Sequence, residues 1–335
     1  MKNKGRKIFL GILILLLVGF LLGPKQSIPM YNTDLPSEVK STEMAEEMIR
    51  AIDAGAGTIK PGNESRLVWA NDSTKEITPY CLLYLHGYSA SPEEGNPVHV
   101  NFASHFGMNA FIPRLAEHGL VTEDALLNNT PDVMWESAKQ SLVLAKALGN
   151  KIILMGCSTG GTLALKLAAE YPDDIAGLFL YSPNVSLYNK AAAILTLPWG
   201  LQIGRLIVGG DYRYTESDPK TDPYWYTKQR AEGAVYLQQL VKTTMKEELF
   251  ADVSVPTFVA YYYKDEENQD NTVSVEAIKW MYEELGTPDE MKREIAFPEA
   301  GDHVLCCHLT SGSWKEIQDE SIKFAKEKLN LSPKY

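Results

Sequence analysis

The chain has 335 residues, 45% of them hydrophobic and 22% charged, with a formal net charge of −11 at pH 7. About 300 residues remain once an N-terminus of different character is set aside, a length that suits one α/β domain. The acidic balance argues against nucleic acid as a partner, and four cysteines, two of them the adjacent Cys306 and Cys307, offer no disulfide framework.

Residues 1–24 open with Lys2, Lys4, Arg6 and Lys7 and continue in an almost wholly apolar run over 8–22. This is the pattern of a targeting or anchoring segment. A membrane span wants about 20 apolar residues, and Gly23 and Pro24 extend this run only to roughly 17. No small-x-small cleavage site follows, and no cysteine stands where a lipoprotein needs one. The expectation is an uncleaved signal anchor in preference to a cleaved signal peptide, a transmembrane segment with its basic end in the cytoplasm and the remaining domain outside it, membrane-anchored or exported. Residues 25–50, with Pro29 and Pro36, read as a linker that leads into a helix from about Glu38, and 51–335 as the main domain.

The run YCLLYL at 80–85 reads as a buried strand, followed by the loop His86-Gly87-Tyr88-Ser89-Ala90-Ser91-Pro92. A glycine-containing loop after a strand can turn its amides outward, where they can serve an oxygen that becomes negative. Tyr88 N–H is the expected donor. His86 is expected to hold this loop, and His99, His105 and His118 to be surface or helix residues. Residues 130–148 read as a helix and 152–155 as a second buried strand. Next comes Gly156-Cys157-Ser158-Thr159-Gly160, and then a helix that stops near Pro172. A serine between glycines at a strand-to-helix junction suits a nucleophile on a sharp turn, because a side chain two residues to either side would collide with the neighbouring backbone. An ordinary glycine-rich turn could carry the same five residues; the flanking strand and helix favour the nucleophile. Thr159 N–H would be the second oxyanion donor.

A further strand is expected over 177–181. The stretch 185–252 then breaks the alternation of strands and helices. It carries Trp199, Tyr212, Tyr214, Tyr224, Trp225, Tyr226 and Tyr236 and reads as a cap insertion, whose aromatics either line a pocket or bury the cap's own underside. The β-rich run 255–263 is followed by an acidic loop and a helix from about Val275. Residues 297–304 then end a strand in a loop carrying His303. A serine hydroxyl needs a base of pKa near 6.5, and His303 is the best placed histidine. A carboxylate should orient it. Asp270, at the entry to the next helix, is preferred, and Asp265, nearer the strand end, is the alternative acid. His308 raises the thought of a metal site, but no third ligand stands at suitable spacing, so neither a metal nor a cofactor is expected.

These segments resemble the α/β-hydrolase family, in its carboxylesterase and monoacylglycerol-lipase-like branch. The order Ser158, Asp270, His303 is the order of that family; the loop 86–92 resembles its oxyanion loop, and 111–119 resembles the stretch that follows. The likeness runs over residues 80–329 and departs at 265–270, where the loop is longer. It implies an α/β fold with a mostly parallel central sheet flanked by helices and a cap after the strand ending near Tyr181. It also implies a serine hydrolase that cleaves small-molecule carboxylic esters through an acyl-enzyme. A peptidase or thioesterase on the same scaffold, or a non-catalytic envelope binding protein, are the other readings. No feature of the sequence specifies an oligomeric state.

Overall fold

The computed structural model describes residues 2–334. Seven strands make one sheet: β1 (Arg66–Val68), β2 (Thr78–Leu85), β3 (Asn109–Ile112), β4 (Gly149–Cys157), β5 (Ile175–Tyr181) and, after a two-stranded ribbon of β6 (Tyr212–Tyr214) and β7 (Lys228–Arg230), β8 (Thr257–Tyr261) and β9 (Lys292–Ala296). The spatial order is β1-β3-β2-β4-β5-β8-β9, parallel except for the antiparallel β1–β3 edge. The expected strands at 80–85, 152–155 and 177–181 are its three neighbouring central members. Each is buried on both faces, which is why they read as unbroken apolar runs.

Side chains of alternate residues enter two cores. Cys81, Leu83 and Leu85 of β2 face a layer holding α2 (Thr42–Gly55), α4 (Pro131–Lys146), α5 (Thr159–Glu170), α7 (Ala231–Thr244), α8 (Glu247–Asp252) and α9 (Val275–Glu284). Leu82 and Tyr84 face the other, where α3 (Val98–Phe106) and α10 (Trp314–Lys328) pack through Phe102, Ile317 and Phe324. Parallel strands with helices on both faces place every β-to-α loop at one edge of the sheet.

Helix α1 (Lys2–Leu21) forms where the apolar run lies. Among the described residues, however, no helix is long and apolar enough to cross a membrane, so the expected transmembrane span is not found. At 1.5 Å per residue the uncharged part of α1 reaches only ~21 Å, against a hydrocarbon core of about 30 Å. The stretch expected as a linker is tied down. Asp132 at the start of α4 accepts the N–H groups of Met30 and Tyr31, Trp135 Nε1 donates to Asn32 O at 2.7 Å, and Lys139 Nζ donates to Asp34 O at 2.7 Å. Helix α2 then starts at Thr42 rather than near Glu38, because Ser41 caps it by accepting Met44 N–H.

Candidate active site

Ser158 stands at the junction of β4 and α5 with φ 53° and ψ −119°, a left-handed-side backbone that a non-glycine residue holds only under constraint. The constraint is visible. Ser158 N–H donates to Tyr181 O at 3.1 Å, and Ser158 O accepts Thr162 N–H and Asn184 N–H. A Cβ on Gly160 would stand 1.9 Å from Leu85 O, and one on Gly156 would stand 2.5 Å from Gly160 O. Only glycine lets the first turn of α5 cross so closely over the ends of β2 and β4. Cys157, next to Ser158, is fully buried, and burial pushes its thiol well above the ordinary range, which leaves it unreactive.

The loop after β2 lies against this junction. A Cβ on Gly87 would be 3.0 Å from Ser158 Cβ, and Tyr88 and Thr159 line one small enclosed cavity of about 10 Å³. His86 is neutral and structural: its Nε2 accepts Leu115 N–H at 3.0 Å, and Nδ1 lies 3.0 Å from Gly87 O. Burial, with the nearby His118, holds its pKa well below the usual value. His99 lies on α3, in line with the expectation of a surface or helix residue, and is buried there, whereas His118, expected likewise, is buried in a loop. His99 Nε2 pairs with Pro92 O and His118 Nδ1 with Ala116 O, so both brace the same loop region.

On the other side of the cleft, His303 Nδ1 lies 2.6 Å from Asp270 Oδ2. Asp270 is buried, and its Oδ1 accepts Thr272 N–H at 2.8 Å and Val273 N–H at 3.0 Å, so the carboxylate is fixed by the backbone ahead of α9. Burial raises its pKa, but the His303 charge and these hydrogen bonds outweigh burial and leave it below the usual carboxylate value. For His303, burial favours the neutral ring, while the charge and hydrogen bond of Asp270 prevail and raise its pKa above 6.5. His303 Nε2 has no hydrogen-bond partner. Asp265 lies elsewhere, its Oδ1 accepting from Glu267 N, Asn268 N and Asn268 Nδ2 in an exposed turn. The extra length of this loop is a local fold closed by its own hydrogen bonds, and His308 only bonds Asn96 O.

A cleft of about 610 Å³ opens onto His303, lined by the polar residues Thr215, Glu216, Thr221, Asp222, Gln269 and Asn271 and by two cap aromatics, Trp225 and Tyr226. Tyr226 ties the cap to the loops below. Its N–H donates to Ser89 O at 2.9 Å and its hydroxyl accepts Leu120 N–H at 2.6 Å. The other five aromatics expected over the site lie off this cleft, and Tyr214 is exposed. Two acids near His303 were not singled out in the sequence: the half-buried Asp302, whose carboxylate accepts Val304 N–H, and the buried Glu94, second of an adjacent acidic pair. Among the described residues no group of three His, Cys, Asp or Glu side chains could hold a metal ion.

Residues 136–292 match the family described as serine aminopeptidase, S33. The fold matches a metagenome-derived lipolytic enzyme from a study of LipS and LipT, with a TM-score of 0.65 and 16% identity over 80% of this chain and 99% of that one. The chain has an α/β-hydrolase fold. Its fold is similar, too, to the monoacylglycerol lipase of Paleococcus ferrophilus, with TM-score 0.53 and 13% identity over 80% of this chain and 98% of that one. Est1E from Butyrivibrio proteoclasticus with bound ferulic acid gives TM-score 0.53 and 17% identity over 79% and 95%. In sequence, 120 residues are 31% identical to the thermostable monoacylglycerol lipase of Bacillus sp. (strain H-257), covering 36% of this chain and 46% of the relative. The match thus spans less than half of that relative's length.

Proposed function

We propose that this chain, with its α/β-hydrolase fold, is a serine hydrolase of carboxylic esters, with Ser158 as nucleophile, His303 as base, Asp270 as its orienting acid, and Tyr88 and Thr159 N–H as oxyanion donors. The observation that carries the reading is the 2.6 Å His303–Asp270 contact, which leaves Nε2 without a hydrogen-bond partner, together with the strained backbone of Ser158. Asp270 holds the Nδ1–H tautomer, so Nε2 accepts the Ser158 proton as Oγ attacks the ester carbonyl. The two amides take up the oxyanion charge, His303 returns the proton to the leaving alcohol, and water releases the acyl group by the reverse path.

The likeness to monoacylglycerol lipases supports a monoacyl ester of glycerol or another polyol as substrate. The cleft agrees, because its hydroxyls, amides and carboxylates suit a hydroxylated alcohol. Hydrolysis of p-nitrophenyl esters from acetyl to palmitoyl, of the matching monoacylglycerols, and of an aminoacyl p-nitroanilide tests this. Ester turnover with preference for the glycerol ester is expected. The serine aminopeptidase match makes the anilide the informative rival: cleavage of it alone makes the protein a peptidase, and inertness to all substrates returns it to the binding proteins.

We also propose that the protein works at a membrane surface or is exported. The basic N-terminus, the exposed apolar α1 and the exposed Leu206 (83%) and Ile207 (71%) of the cap helix α6 (Gly200–Val208) support this. The cap's Trp199 bonds the end of α1 through its indole N–H to Gly19 O and its backbone N–H to Pro24 O. Fractionation of expressing cells should recover the full chain with membranes or outside the cytoplasm; recovery wholly in the cytosol refutes it.

A further inference from the structure

Glu94 lies in the short 3-10 turn Pro92–Gly95 behind the oxyanion loop, 2% exposed. Its Oε2 accepts the N–H of Gly87 at 2.7 Å and the hydroxyl of Tyr84 at 3.2 Å. Its Oε1 is 2.8 Å from the point where a Cβ on Gly87 would stand, the same point that lies 3.0 Å from Ser158 Cβ. The carboxyl and the Ser158 Cβ thus both border the space beside Gly87. A buried ionisable group is expensive, and an amide side chain would accept the Gly87 N–H without that cost. The carboxyl therefore calls for a reason beyond loop packing.

Its surroundings supply one. Tyr84 from β2, Cys157 from the end of β4, and Cys306 and Cys307 from the loop after His303 face it, and burial keeps all four neutral. Glu93, its neighbour in the turn, is paired outward with Arg66 at 2.7 Å. Asp270 and Asp302 also act on His303 electrostatically. The nearby group that gains positive charge during the proposed reaction is His303, which interacts electrostatically with Glu94. Burial outweighs the opposing pull of the Gly87 N–H and of His303 and leaves Glu94 pushed up to about 7.

We propose that Glu94 is a positioning residue: it clamps the Gly87 N–H, so fixing the peptide that presents Tyr88 N–H to the oxyanion, and its negative charge stabilises the protonated ring of His303. The clamp acts through geometry and the charge acts through space; neither touches substrate. This rests on the serine-hydrolase reading for its kinetic consequences but not for the coupling itself.

The test uses Glu94→Gln, which keeps an acceptor oxygen for Gly87 and removes the charge, and Glu94→Ala, which removes both. Loss of a negative neighbour favours the neutral imidazole, so in Glu94→Gln the His303 ring, followed by NMR, should titrate at lower pH by several tenths to about one unit. The acid limb of kcat/KM should move with it. In Glu94→Ala the loosened loop should also lower kcat by about tenfold to a hundredfold, with KM little changed. A His303 titration identical in wild type and Glu94→Gln overturns the proposal, as does a wild-type kcat in Glu94→Ala. A lowered Tm with an unmoved pH profile overturns it too, since Glu94 would then only stabilise the fold. A shifted ring titration in a protein that hydrolyses no ester upholds the coupling and rejects the hydrolase reading.

Discussion

Ser158→Ala is expected to lower kcat on any ester that the protein turns over by about 10⁶, to the level left by the oxyanion donors and substrate binding alone. In the proposed mechanism the Ser158 Oγ forms the acyl-enzyme. Cys157 beside it is buried with its thiol pKa far above neutrality, and so offers no substitute. Stability should hold, because the bonds that fix the junction come from the Ser158 backbone, to Tyr181, Thr162 and Asn184, and alanine keeps all three. Steady-state hydrolysis with a thermal melt, and fluorophosphonate labelling followed by intact mass, check it. Residual activity above about 1% in a cleanly folded variant would exclude Ser158 as the nucleophile.

Asp270→Asn is expected to cost about 10⁴ in kcat near neutral pH. The carboxylate accepts two backbone N–H groups through Oδ1, so its other oxygen, Oδ2, faces Nδ1 of His303 and selects the Nδ1–H tautomer. An asparagine turned to donate to Nδ1 selects the other tautomer and takes away the free Nε2 lone pair. The pH dependence has a definite sign. The wild-type His303 pKa lies above 6.5, and in the proposed mechanism the neutral ring is the base, so activity should fall as pH drops through that raised value. Removing the Asp270 charge lowers the His303 pKa, so what activity remains in the variant should reach its plateau at lower pH. Asp265→Asn serves as the control. Its carboxylate bonds only its own exposed turn, and its kcat and pH profile should match wild type. Equal losses in both variants would detach the acid role from Asp270.

Much of this protein is legible in one dimension, and the reason is geometric. Buried parallel strands must be apolar throughout, so YCLLYL and the run before Gly156 announce β2 and β4 without any neighbour being known. The sharp turn at Ser158 needs glycines at fixed offsets, so local spacing marks the junction. The likeness to α/β-hydrolases rests on such local constraints taken in chain order.

Other features depend on what lies across space. Asp265 and Asp270 stand five residues apart in one acidic loop, and no local rule distinguishes them; the return of the chain after β9 brings His303 to Asp270 and leaves Asp265 in a turn. Glu93 and Glu94 are adjacent and alike in sequence, yet Glu93 pairs with Arg66 while Glu94 turns inward to Gly87 N–H, because β2 and the turn after it fold back on each other. The segment 25–50 looked free for lack of apolar rhythm, but its backbone is held by Asp132, Trp135 and Lys139 of a helix about a hundred residues later. Sequence by itself determined the sheet, the turn at Ser158 and the order of the candidate site residues, because backbone sterics and burial act on neighbours in the chain. Which carboxyls face the histidine and the oxyanion loop was decided only by tertiary structure, because charge and hydrogen bonding act between groups that only folding brings together.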